Sequence, residues 1–87
     1  MHFVYIIQSL IDHSYYKGYS SNPYDRLEQH NNKLSTYTST KCPWRLVAIF
    51  EFKTKTEALS KEKKIKKYGH VSLIALISSE KNILNNS

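Results

Sequence analysis

Cysteine occurs once in this 87-residue chain, and glycine and proline twice each. The lone Cys42 cannot close an intramolecular disulfide, so an apolar core has to hold the fold. So little glycine and proline, set against 40% hydrophobic and 13% aromatic residues, excludes a disordered chain. Long hydrophobic runs are also missing. Phe3 to Ile7 and Leu73 to Ile77 fall far short of a bilayer core about 30 Å thick, so no membrane span and no membrane partner are expected. No basic segment precedes the first apolar run, which argues against a secretory leader and makes the cytoplasm the expected compartment. His2, His13, His30 and Cys42 lack zinc-ligand spacing, so no structural zinc is expected. Acidic residues are scarce: seven against thirteen Lys and Arg leave a net charge of +6, a field that attracts phosphate backbones.

A chain of this length forms one domain and buries roughly 60–65% of its unfolded surface. The domain is expected over residues 1–80, with a polar, frayed tail at 81–87. Residues 3–8 and 14–19 are rich in β-branched and aromatic side chains and predict an antiparallel hairpin turning near Leu10 and Ile11. Tyr5 and Tyr16 then come opposite or nearly opposite each other. Asn22 suits an N-cap and Pro23 the first helical position, which opens a helix to about Asn32. Its apolar stripe is Tyr24, Leu27 and, if the stripe continues, Leu34, with Arg26 and His30 four apart on one face beside it.

Residues 31–45 are polar and hydroxyl-rich and predict a long loop of the kind that carries function. Leu46 to Phe52 is nearly continuous in apolar character, so it is expected as the central strand. Thr54-Lys55-Thr56-Glu57 has capping-box spacing and opens a second helix, expected to run through Tyr68 and stop at Gly69. The segment Val71 to Ile77 fits a helix or a strand.

On the second helix Glu62 falls on the apolar stripe of Ala58, Leu59 and Ile65. A carboxylate there needs a partner, so Glu62 is either ion-paired to a neighbouring lysine or a functional ligand. The run Lys61, Lys63, Lys64, Lys66 and Lys67, with Lys33 and Lys41 from the loop, is a solvated face that also suits a phosphate-backbone footprint. Trp44 and Tyr37 are candidates for base stacking, although Trp44 beside Pro43 fits better as a lid on the core.

Taken in order, Phe3-Val4-Tyr5, Tyr16-Lys17-Gly18, Asp25 to Asn31, Cys42 to Val47 and Glu57 to Lys66 resemble the GIY-YIG nuclease superfamily, in its small stand-alone bacterial (UPF0213-like) branch. The likeness covers roughly residues 3–78. Two departures are Phe3-Val4 in place of Gly-Ile and Lys17 in place of isoleucine; Lys17 is expected on the surface, facing away from Tyr16.

The resemblance implies an α+β fold, a three-stranded antiparallel sheet flanked by helices, and a metal-dependent endonuclease that acts on DNA, or on RNA. Carried over by motif, Glu62 would hold Mg²⁺ or Mn²⁺ and Arg26 would stabilise the phosphoryl transition state. Tyr16 or Tyr5 would position or deprotonate the attacking water, and His30 would carry a proton or contact phosphate. These residue types suit the chemistry: one carboxylate can serve a hard cation that keeps its waters, and an arginine fork matches phosphate oxygens. DNA repair or recombination, structure-selective cleavage and a recognition or repair partner protein are further expectations. The alternative is a non-catalytic basic nucleic-acid-binding module on the same fold.

Overall fold

The computed structural model describes residues 1–33 and 38–86. Leu34 and Tyr37, and with them the stripe extension and one stacking candidate, lie outside the described residues, as does Ser87. The α+β architecture is as expected. Strands β1 (His2–Ser9), β2 (Tyr15–Ser20) and β3 (Trp44–Phe52) form one antiparallel sheet, accompanied by helices α1 (Pro23–Asn31), α2 (Lys55–Ile65) and α3 (His70–Ile77).

The strand order β2-β1-β3 corrects the expectation that the third strand is central. β1 holds the middle because Val4, Tyr5, Ile6 and Ile7 are each at most 1% exposed, buried on both faces of the sheet. β3 reads as central from its apolar run, yet it lies at an edge. Val4 and Ile6 face α2 and α3 in one core with Ala48, Phe50, Ala58, Ile65 and Leu73. Tyr5 and Ile7 face the opposite way, toward Trp44 and Leu27 of α1.

The hairpin closes through side chains instead of an Asn-Gly turn. The Ser9 hydroxyl accepts from Ile11 N at 3.1 Å, Asp12 accepts from Ser14 N at 3.0 Å, and His13 adopts a left-handed φ of 63°. The resulting register sets Tyr5 opposite Gly18 and Tyr16 opposite Ile7, so the two phenols share a face on a diagonal.

α1 starts as expected, with the Asn22 side chain accepting from Asp25 N and proline in the first turn. Its buried face differs from expectation: Tyr24 is 61% exposed, and the buried residues are Pro23 and His30. The Thr54 hydroxyl caps α2 by accepting from Glu57 N at 3.1 Å. Ala58 and Ile65 are buried as expected, but Leu59 is exposed. α2 ends at Ile65, short of Tyr68, and Gly69 serves as the N-cap of α3. The segment open to two readings is helical.

The expected frayed tail is docked at least as far as Asn85. Asn82 is fully buried: its side-chain oxygen accepts from Ile49 N and its amide donates to the carbonyls of Val47 and Ile77. It therefore supplies the free edge of β3 with the partners that a fourth strand would otherwise provide. Asn85 adds a 2.8 Å bond to the Ile77 carbonyl.

Candidate active site

Gly18 permits the central contact of the site. A Cβ at this position would meet the Tyr5 hydroxyl and ring, with Cζ only 2.6 Å away, so the absence of a side chain lets the Tyr5 ring lie across β2. From there the phenol reaches α1, where Tyr5 Oη lies 3.0 Å from His30 Nε2. The other ring nitrogen, Nδ1, lies 2.7 Å from Thr38 Oγ1. Tyr5, His30 and Thr38 are all essentially buried, so the three form an internal chain with both imidazole nitrogens engaged.

Each tautomer of a neutral His30 preserves both bonds, either by accepting from Tyr5 and donating to Thr38 or by the reverse. Burial keeps the imidazole neutral by lowering its pKa below the ordinary 6.5, and the positive charge of Arg26 lowers it further. The expected direct phosphate contact by His30 is corrected here: a fully buried ring whose two nitrogens are engaged presents no edge to a phosphate.

Around Tyr5 the remaining groups arrive from separate elements. Burial raises its phenol pKa above the ordinary 10.0, hydrogen bonding and charge from Arg26 oppose that rise, and Tyr16 and Glu62 add to it. A cation on α1 and a carboxylate on α2 therefore both act on one phenol. Arg26 is half-buried, with Nη1 donating to Gln29 Oε1 at 2.5 Å. Tyr16, also half-buried, packs edge-on against His30 with ring centroids 5.1 Å apart and faces Trp44 at 6.4 Å.

Glu62 is 18% exposed and lies 3.7 Å from Lys66 Nζ, one helical turn on. Lys66 is thus the neighbouring lysine that the ion-pair reading of Glu62 expected. Among the described residues no group of three or more His, Cys, Asp or Glu converges. The sequence-predicted metal ligand is the one carboxylate of Glu62. That fits a hard divalent ion that keeps most of its waters and takes the rest of its ligands from a phosphate.

The lysines divide. Lys33, Lys63, Lys64, Lys66 and Lys67 are exposed. Lys41 is tied to Asp12 at 3.4 Å, and Lys61 lies over the Tyr68 ring at 5.9 Å. Trp44 is a core residue, 3% exposed, with its indole N–H donated to the Thr38 carbonyl at 3.0 Å. Lys17 faces away from Tyr16 as expected, since it stands opposite Ile6 and Tyr16 opposite Ile7, but it is half-buried and borders a cleft that Tyr16 also borders. Sequence reasoning missed Thr38, because nothing in a hydroxyl-rich loop separates it from Thr36 or Thr40. It also missed Asn31, whose side chain clamps the backbone of Trp44 through bonds of 2.6 and 3.0 Å.

Comparison with known proteins agrees with this fold. The family model described as GIY-YIG catalytic domain matches residues 1–70. UPF0213 proteins of Staphylococcus aureus strains Mu3 and Mu50 are each 39% identical over 77 residues, covering 87% of this chain and 93% of theirs. The solution NMR structure of the UPF0213 protein BH0048 from Bacillus halodurans superimposes with a TM-score of 0.60 at 33% identity, covering 92% of this chain and 85% of that one. The chain belongs to the GIY-YIG catalytic-domain family, a family of nucleases.

Proposed function

We propose that this protein is a metal-dependent endonuclease that hydrolyses DNA phosphodiester bonds, selecting strand structure more than sequence, and that it works in the cytoplasm on repair or recombination intermediates. The observation that carries this reading is the convergence of Tyr5 and Tyr16 on His30, one helical turn from Arg26 on α1, in a chain whose residues 1–70 match the GIY-YIG catalytic-domain model. Arg26 offers a cation for the phosphoryl oxygens and Glu62 a carboxylate for a divalent ion, and the charge of each bears on Tyr5. Structure selectivity follows from size, since even minimal sequence-reading modules bury roughly 600–1,000 Å² against DNA.

Glu62 is the residue that would hold Mg²⁺ or Mn²⁺. When bound, such an ion supplies charge neutralisation at the phosphate and acidifies a water. Arg26 presents a bidentate fork to the non-bridging oxygens, an arrangement whose loss typically costs 10²–10³-fold in rate for comparable donors, by order of magnitude. Tyr5 is protonated at neutral pH because burial raises its pKa, so it acts as a fixed hydrogen-bonding group. Tyr16, half-buried and lining an open cleft, is the phenol that positions the attacking water. His30 holds Tyr5, and Thr38 holds His30. The exposed α2 lysines supply sequence-independent affinity for the backbone.

The test is cleavage of supercoiled, branched and single-stranded DNA with Mg²⁺ or Mn²⁺. Parent protein should cut at least one of these, and Glu62→Ala and Arg26→Ala should not. Cleavage of none, or equal cleavage by the variants, rejects the reading. The ion pair between Glu62 and Lys66 favours one alternative, a non-catalytic binding module in which the carboxylate is neutralised in place. Salt-dependent DNA binding without cleavage would select it.

A further inference from the structure

Residues of β2 and the C-cap of α2 line a cleft of about 360 Å³ bounded by Tyr15, Tyr16, Lys17 and Lys66. Two ammonium groups and two phenols form this lining, and no carboxylate is among them. The volume lies at the low end of the range for small-ligand sites, roughly 300–1,000 Å³, which is room for one nucleotide unit and not for a duplex.

Both ends of the cleft join the candidate active site. Tyr16 is a site residue by its packing on His30, and Lys66 is 3.7 Å from Glu62. Lys17 stands opposite Ile6 in the hairpin, on the sheet face that packs against α2. A strand position of that kind favours a β-branched apolar residue, and holding a lysine half-buried there restricts a long, strongly hydrated side chain. An anion in the cleft gives that ammonium group a function.

We infer that this cleft is the subsite for the nucleotide adjoining the scissile phosphate, with that nucleotide's own phosphate held between Lys17 and Lys66 and its sugar and base seated against Tyr15 and Tyr16. The assignment rests on the nuclease reading, because the scissile phosphate is placed at the Tyr16 end. Lys66 is shared: it pairs with Glu62 when no phosphate is present and turns toward the phosphate when one enters.

The test separates this subsite from the cleavage reading by measuring binding alone. Fluorescence anisotropy of a labelled DNA strand, in EDTA to prevent cleavage, is followed from roughly 50 to 200 mM salt, where one lost phosphate contact changes the log–log slope by about 0.7–0.9. Lys17→Ile should weaken binding several-fold and reduce the slope by that one contact. Lys81→Ala, which removes an exposed cation beside Phe50 and Phe52, should change neither by as much. A 5′-deoxynucleoside monophosphate should compete with the strand on the parent protein and fail to compete on Lys17→Ile.

Equal slopes for the Lys17→Ile and Lys81→Ala proteins, or undiminished competition on Lys17→Ile, overturn the subsite and leave the nuclease reading standing. A parent protein that binds no DNA at low salt overturns both. If Lys17→Ile does not fold, Lys17→Gln removes the same charge, and the same slopes decide.

Discussion

Tyr5 and His30, twenty-five residues apart in sequence, meet at 3.0 Å between phenol and imidazole, and the far side of the imidazole is held at 2.7 Å by Thr38. The chain ties β1 to α1 and to the segment leading into β3, so the orientation of one phenol depends on three separate elements. Thr38 also receives the Trp44 indole on its carbonyl, so the same residue fixes the histidine and the core lid. A buried polar chain of this kind is stable only when every member is satisfied.

Acid should disturb this chain before it disturbs the rest of the fold. The folded-state pKa of His30 lies below its ordinary 6.5, so the unfolded chain takes up a proton there more readily than the native one. The stability this group contributes is complete above pH 6.5 and is lost as pH falls through the lower folded value. Denaturant midpoints should therefore decline below pH 6.5, and His30→Gln should flatten that decline while lowering stability at neutral pH by roughly 1–3 kcal/mol. A midpoint in the parent protein that is level down to pH 5, about where carboxylates begin to protonate, would contradict the assignment.

Gly18 should tolerate no side chain. A Cβ there meets the Tyr5 ring, which is buried and cannot swing into solvent. Gly18→Ala should cost about 1–3 kcal/mol through overpacking, measured by chemical denaturation. It should also reduce cleavage on the order of 10²-fold, because the displaced phenol misplaces its neighbours. Gly69→Ala is the control: nothing lies within 4 Å of its Cβ, so that variant should retain activity.

Much of this arrangement was legible in sequence because it is local. The Asn22 and Thr54 caps, the Arg26–His30 spacing and the place of Glu62 on α2 follow from helical geometry alone. The strand order was not legible, since β1 and β3 are both apolar and only tertiary pairing decides which is central. Tyr24 and Leu59 fit helical stripes and yet are exposed, because the sheet offers each helix a narrower contact than its apolar face could fill. His30 takes the buried place that Tyr24 does not. Thr38 and Asn82 act through hydrogen bonds to residues of other elements, and such bonds leave no periodic trace.

Asn82 should matter to stability more than its place in a polar tail suggests. Its buried side chain satisfies Ile49 N–H in a buried bond and the Val47 and Ile77 carbonyls in partly buried ones. Asn82→Ala removes the partners of Ile49 N–H and of the Val47 carbonyl, at roughly 1–3 kcal/mol for each such group that water cannot reach, while the Ile77 carbonyl keeps its bond from Asn85. It also uncovers the edge of β3, so light scattering should show concentration-dependent association in the variant and none in the parent. Asn85→Ala, which removes bonds from an exposed residue, should be much milder.

Arg26 and Glu62 should separate function from stability. Arg26→Lys keeps the charge beside Tyr5 but loses the planar fork, so the cleavage rate should fall by about 10²–10³-fold with little change in unfolding midpoint. Glu62→Gln removes a charge that is ion-paired with the exposed Lys66, and such pairs contribute about 0–1 kcal/mol, so the fold should hold. Activity should nevertheless be abolished, and raising the Mn²⁺ concentration should restore part of it if the carboxylate's task is to hold the ion. A Glu62→Gln protein that cleaves like the parent at every metal concentration would return Glu62 to the role of a helix-surface ion-pair partner. The cation on α1 would then act on Tyr5 without a metal ligand opposite.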